Sequence, residues 1–299
     1  MPRPTIIFAV LMMLSHPAIA KPHAILDIKK LPEPGETLVW SPLFQASWEK
    51  MQSLHPGEME KVNPPNALIS QLEKFQWKKE DVMPKDGYAV FAGPSTPEFA
   101  KATAQKIKEQ FGVDMTPSRL PINPRGNSIY GILLRDLNFR KQFFRSRRHP
   151  LEFKDGNGTI HKVQFFGTVG KHSSNFGNNV KVLDYNNRGK SFLLSIATDQ
   201  TDEKLIIYRA GRALSFKMAI EHVNSSTKAP LSGPYGSLAD GTLHKNDTVK
   251  IPYLNIKADT DLTNQVAGAR DYAGDPIPWI TSKAYQITHF ELFEKGARI

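Results

Sequence analysis

The stretch "KAYQITHFELFEKGARI", Lys283 to Ile299, decides how this chain is read. From Lys283 to Phe293 it is β-favouring text, with aromatic and branched residues set among polar ones. We expect this segment to lie inside a large mixed sheet, with Tyr285, Ile287, Phe290 and Leu292 contributing to buried faces. Glu294-Lys295-Gly296-Ala297 comes next, and its small residues mark a hinge. A strand that runs into a hinge leads somewhere, and the rest of the chain has to say where.

The other end reads as a targeting segment. "MPRPTIIFAVLMMLSHPAIA" has a basic start at Arg3, an apolar run from Ile6 to Leu14 and the small-x-small ending Ala18-Ile19-Ala20. That is the layout of a secretory signal, cleaved near Ala20. The run is too short to span a bilayer, which needs roughly 20 apolar residues. Residues 21–299 are therefore expected to form one secreted domain, extracellular or periplasmic. Apolar content of 40% supports a folded core. Cysteine is absent, so stability must come from packing, and thiol catalysis and Cys-ligated metals are excluded.

Net charge is +10, which favours anionic partners without specifying a fold. Its densest cluster is "RDLNFRKQFFRSRRHP", with Arg140, Lys141, Arg145, Arg147 and Arg148 interleaved with Phe139, Phe143 and Phe144. One reading is a polyanion-binding patch. The other is a solvated strand-to-loop edge with buried aromatics.

Local signals give helices early and strands late. In "SPLFQASWEKMQSLHPG" Ser41 is a cap and Pro42 suits the first helical position, with Phe44, Trp48, Met51 and His55 at helical spacing. In "TPEFAKATAQKIKEQFG" Thr96 caps, Pro97 starts, and Ala100, Ala104, Ile107 and Phe111 share a face before Gly112. From about Ser128 the runs "SIYGILL", "HKVQFFGTV", "VKVLDY", "SFLLSIATD" and "VKIPYLNIKA" read as strands. "SFKMAIEHVN" fits a strand or a short helix. The class is α+β, since repeating β-α-β units are absent.

Chemistry is sparse. The chain has no nucleophile elbow, zinc helix, phosphate loop or dinucleotide glycine pattern, so no catalytic residue, metal ligand or cofactor is assigned. A secreted hydrolase would need a nucleophile and base that the sequence does not bring together.

The order of the local signals carries more. "TLVWSPLFQASWEKM", "FRKQFFRSRRHPLEFKDGNGTIHKVQFF", "VKVLDYNNRGKSFLLSIATDQTDEKL", "DTVKIPYLNIKADTDLTNQV" and "SKAYQITHFELFEKGAR" resemble, in this order, segments of the serpin family of protease inhibitors, from about Leu38 to Arg298. The resemblance implies a serpin-like α+β fold: N-terminal helices on a large central mixed β-sheet, plus a second, incomplete β-sheet. It places Glu294, Gly296 and Ala297 at the hinge of the reactive loop, and Ser41, Pro42 and Gln286 in the shutter where the central strands part.

Phe44 stands where the family has Ser, Gln286 where it has His, and Phe139 about where it has Trp. Arg298 and Ile299 stand where small residues begin. The implied function is inhibition of a serine or cysteine protease by loop insertion. No reactive loop follows the hinge in this sequence, so the chain as written is expected not to trap a protease, and a bare sheet edge is expected to pair with another chain. The alternative is a non-inhibitory secreted protein that binds polyanions through its basic surface. No membrane span and no specific nucleic-acid contact is expected.

Overall fold

The computed structural model describes residues 22–33, 36–55, 57–75, 83, 86–115, 126–146, 150–154, 160–186, 191–226, 241–281 and 284–299, with the backbone of 5–7. In chain order, β1 (Thr5–Ile7), β2 (His23–Ala24) and β3 (Leu38–Val39) precede α1 (Pro42–Gln52). β4 (Met59–Asn63), α2 (Ala67–Glu73), β5 (Tyr88–Pro94), α3 (Pro97–Phe111) and β6 (Asn127–Leu133) follow. Next come β7 (Asp136–Asn138), β8 (Phe144–Arg145), β9 (Leu151–Lys154), β10 (Ile160–Val163) and β11 (Phe165–Thr168). A 3-10 turn (Gly170–Phe176) leads to β12 (Val180–Asn186), β13 (Ser191–Ala197), β14 (Glu203–Arg209) and α4 (Phe216–Ser226). The chain continues through β15 (Val249–Pro252), β16 (Leu254–Asp261), α5 (Thr263–Val266), β17 (Gly268–Tyr272) and β18 (Trp279–Thr281). It finishes with β19 (Tyr285–Phe293) and β20 (Gly296–Arg298).

These elements form a mixed α+β protein of several largely antiparallel sheets, none with more than four strands among the described residues. The strands expected to form a large central sheet and a second, incomplete one are distributed over several sheets. Asn127–Leu133 pairs with β5, whereas Asp136–Asn138 pairs with β20. Two compact units result: residues 1–40, 135–258 and 288–299, and residues 41–134 and 259–287.

In the first unit β12, β13 and β14 form an antiparallel meander, with β1, which falls inside the segment expected to be cleaved, parallel to β14 at its edge. The unbroken run in "SFLLSIA" is explained by burial on both faces. Leu194 and Ile196 enter the main core, while Leu193 packs with Ile206 of β14 and Val223 of α4. "SFKMAIEHVN" is thus a helix, its apolar side turned to that second cluster. Phe139, Phe143, Phe166 and Phe176 anchor the main core, with Phe139 edge-on to Phe143 at 5.3 Å and Phe143 stacked on Phe176 at 4.9 Å. Each such pair adds about 0.5–1.5 kcal/mol beyond the area it buries. Phe144 points to solvent.

The second unit contains the two helices whose ends the sequence marks. Ser41 Oγ accepts from Leu43 N–H at 3.2 Å, and Thr96 Oγ1 from Phe99 N–H at 3.2 Å. Gly112 closes α3 with φ of 69°, and its N–H reaches Lys108 O at 2.8 Å. Gly131 of β6 lets α1 lie against the sheet, since a Cβ there would meet Ser47 Oγ at 2.7 Å. No helix among the described residues is long and apolar enough to cross a membrane.

Candidate functional site

The site builds outward from the end of β19. Alternation along this strand turns even-numbered residues inward, so Phe290 and Leu292 are buried. Tyr285 and Ile287 have the opposite parity and are 48% and 73% exposed. The expectation that all four would be buried is therefore corrected: two residues follow it and two do not. The strand itself is internal, flanked by β16 and β20 in the order β16-β19-β20-β7.

Glu294 and Lys295 form a tight turn, and the chain comes back on itself instead of leaving the sheet. Gly296, Ala297 and Arg298 pair antiparallel with Phe293, Leu292 and Glu291 on one side. On the other side they pair antiparallel with Asn138, Leu137 and Asp136. Arg135 and Ile299 then exchange both backbone hydrogen bonds at 3.0 Å. The turn is tied as well, because Phe139 N–H donates to Lys295 O at 2.7 Å and Phe143 N–H to Glu294 O at 3.0 Å. β20 is thus an inner strand only three residues long.

Small residues are required here for a measurable reason. A Cβ on Gly296 would lie 2.1 Å from Leu137 O, inside the neighbouring strand's backbone. Ala297 is 1% exposed and belongs to the main core, where a longer side chain would meet packed neighbours. Arg298, the first long residue, reaches solvent, where it pairs with Asp136 at 3.1 Å and covers the Phe293 ring at 5.3 Å.

Glu294 is held electrostatically. The Tyr253 hydroxyl donates to its carboxylate, and the Arg145 guanidinium sits 5.3 Å from the Tyr253 ring centre. Burial works to raise the Glu294 pKa. The Tyr253 hydroxyl, the backbone N–H, and the Arg145 and Lys295 charges together outweigh it and hold the carboxyl below its ordinary range. Burial, and next the bond to Glu294, push the Tyr253 phenol up to about 12. Tyr253 and Asp136 are the members that sequence reading missed. Tyr253 lies 41 residues from Glu294, and no local pattern links the two.

Of the other assigned positions, Ser41 caps α1, Pro42 opens it, and Gln286 is half-buried in β19. Arg140, Lys141 and Arg145 are exposed, and Arg147 and Arg148 lie outside the described residues. Lys141 donates to Asn175 O at 3.0 Å and lies 5.0 Å from the Phe176 ring centre, so it and Arg145 already have aromatic partners.

No family model and no curated protein matches the chain. Matches come from solved structures. The structure of cleaved viral serpin CrmA matches at 12% identity and a TM-score of 0.47, over 86% of this chain and 97% of that one. The myxomaviral serine protease inhibitor 1 matches at 12% identity and 0.48, over 87% and 91%. A second structure of viral serpin CrmA matches at 10% and 0.49, over 85% and 89%. What the chain is similar to, across most of its length and at very low identity, is the serpin architecture.

Proposed function

We propose that this is a secreted serpin-type protein of the loop-insertion class, in which the segment after Glu294 enters a β-sheet; residues 294–299 supply the hinge, and inhibition of a serine or cysteine protease needs a reactive loop in addition to them. One observation carries the reading: Gly296–Arg298 is hydrogen-bonded on both sides, between β19 and β7. An inserting segment needs a residue without a side chain where it first enters, a small one next, and an anchored turn before them. Gly296, Ala297 and the Tyr253–Glu294 contact fill those roles. Ser41, Pro42 and Gln286 are assigned to the region where strands part during insertion.

The test is incubation of the protein, as its native source secretes it, with a panel of serine and cysteine proteases. Where the secreted protein carries a reactive loop after the hinge, the expected outcome is a complex with at least one protease that survives SDS electrophoresis at the summed mass; residues 21–299 alone are expected to form none. Cleavage or indifference across the panel overturns inhibition. Exposed Arg140, Lys141 and Arg145 favour the second reading, a non-inhibitory polyanion binder. That reading predicts retention on an immobilised sulfated polysaccharide with a steep loss as salt rises.

A further inference from the structure

The chain carries three Asn-x-Ser/Thr triplets, beginning at Asn157, Asn224 and Asn246. Such a triplet is the acceptor for N-linked glycans in proteins that pass through a secretory compartment. It is short enough to arise by chance, so the folded surroundings of each one have to discriminate. A glycan is bulky and hydrated, and it needs an exposed side chain whose loss to the sugar breaks nothing. Asn157 lies outside the described residues.

Asn224 is exposed, but its triplet is committed to other contacts. It belongs to α4, next to Val223, which is 0% exposed in the second apolar cluster. The hydroxyl of Ser226, the third residue of the triplet, is 3.5 Å from His222 Nε2. That nitrogen is also 3.0 Å from Asp184 Oδ2, and the ring stacks on Tyr208 at 4.8 Å. Ser225, the middle residue, donates to His222 O at 2.8 Å.

Asn246 has the opposite surroundings. Lys245 and Asn246 are the central residues of a tight turn before β15, closed by Asp247 N–H donating to His244 O at 3.0 Å. The turn is anchored through its aspartate and not through its tip. The Asp247 carboxylate accepts from His244 N–H at 2.7 Å, and Ser173 Oγ donates to Asp247 O at 2.6 Å. Ser173 is 0% exposed, so this side of the turn faces the interior. Lys245, Asn246 and Thr248 are all exposed. Among the described residues, the Asn246 amide and the Thr248 hydroxyl have no hydrogen bond, ion pair or ring contact. A sugar on Asn246 therefore displaces no contact, and the anchored Asp247 keeps the turn in shape beneath it.

We propose that Asn246 is an N-glycosylation site. The inference rests on the secreted reading given above, since the sugar donor is met only in a secretory compartment. In the transfer, Asn246 Nδ2 forms a bond to the anomeric carbon of a lipid-pyrophosphate-linked oligosaccharide. The bond from that carbon to the phosphate oxygen breaks, and its electron pair leaves with the lipid pyrophosphate. One amide proton passes to base, and nothing is oxidised or reduced.

The experiment expresses the full chain in cultured eukaryotic cells that secrete glycoproteins. Protein from the medium is digested with peptide-N-glycosidase and mapped by mass spectrometry. The expected result is conversion of Asn246 to Asp by the enzyme, which marks a glycan removed from that residue. Asn246→Gln and Thr248→Val are each expected to lose one glycan's mass. Having two variants keeps a folding defect in either from deciding the result. If the medium contains none of the protein, the secreted reading fails by itself. The full chain is then placed behind the cleavable leader of a secreted reporter, and the same map is made on the delivered protein. An unmodified Asn246 in chain delivered by either leader overturns the proposal. So does modification of Asn246 that persists in Thr248→Val, because it would not depend on the triplet.

Discussion

At the residue scale, Glu294 and Tyr253 set a pH dependence whose sign can be worked out. The Glu294 carboxyl is held below its ordinary value in the folded chain, so its contribution is present above the ordinary carboxyl range and is lost as pH falls through the depressed value. Tyr253 runs the other way. Its contribution is present below about 10 and is lost as pH rises towards about 12. Tyr253→Phe removes the shared hydrogen bond and is expected to cost about 1–2 kcal/mol at neutral pH. At an acid pH low enough to protonate Glu294, which makes it a weaker partner, the cost should shrink. Chemical denaturation at the two pH values checks this, and an equal loss at both would remove the charge-assisted role. Gly296 and Ala297 stood out in the sequence as small residues after a strand, because that pattern is local. Tyr253 did not, because only tertiary folding brings it near. Tyr285 and Ile287 were misread because apolar character was weighed without parity along the strand.

At the element scale, legibility follows the range of the forces involved. α1 and α3 have the ends read from Ser41-Pro42, Thr96-Pro97 and Gly112, since capping is decided within four residues. Strand partners depend on distant chain, so β7 and β20 were seen as text and not as neighbours. The start of β14 shows what was hidden. Glu203 is buried and accepts from Arg135 Nε at 2.8 Å and from a second guanidinium nitrogen. Removing one partner of such a pair leaves a charge without compensation, which costs more than the pair contributes. Arg135→Met is expected to destabilise the protein by about 3–5 kcal/mol, read as a lower denaturation midpoint with unchanged slope. Arg135→Met combined with Glu203→Met should recover most of that loss, because no buried charge remains.

At the scale of the whole molecule, the α+β class was legible from helices gathered early and strands late, and that order survives in the structure. The division of the strands into several sheets was not, because a break at Leu134-Arg135 has no composition signal of its own. Leu134 N–H bonds to Gly87 O, and Arg135 pairs with Ile299, so neighbouring residues answer to different partners. The functional reading rests on whether the segment after Glu294 is part of the sheet in solution, and hydrogen exchange measures that directly. A strand paired on both edges exchanges only when the sheet opens, whereas an exposed loop exchanges at the rate of free chain. The amides of 296–298 are expected to be protected to a degree approaching those of β13. Gly296→Val forces a side chain against Leu137 O and should abolish that protection while leaving β13 slow. Fast exchange at 296–298 in the wild type would place the hinge outside the sheet and remove the observation on which the insertion reading stands. Slow exchange retained in Gly296→Val would mean that β7 can yield, and the fit of glycine at this position would no longer explain how the segment enters.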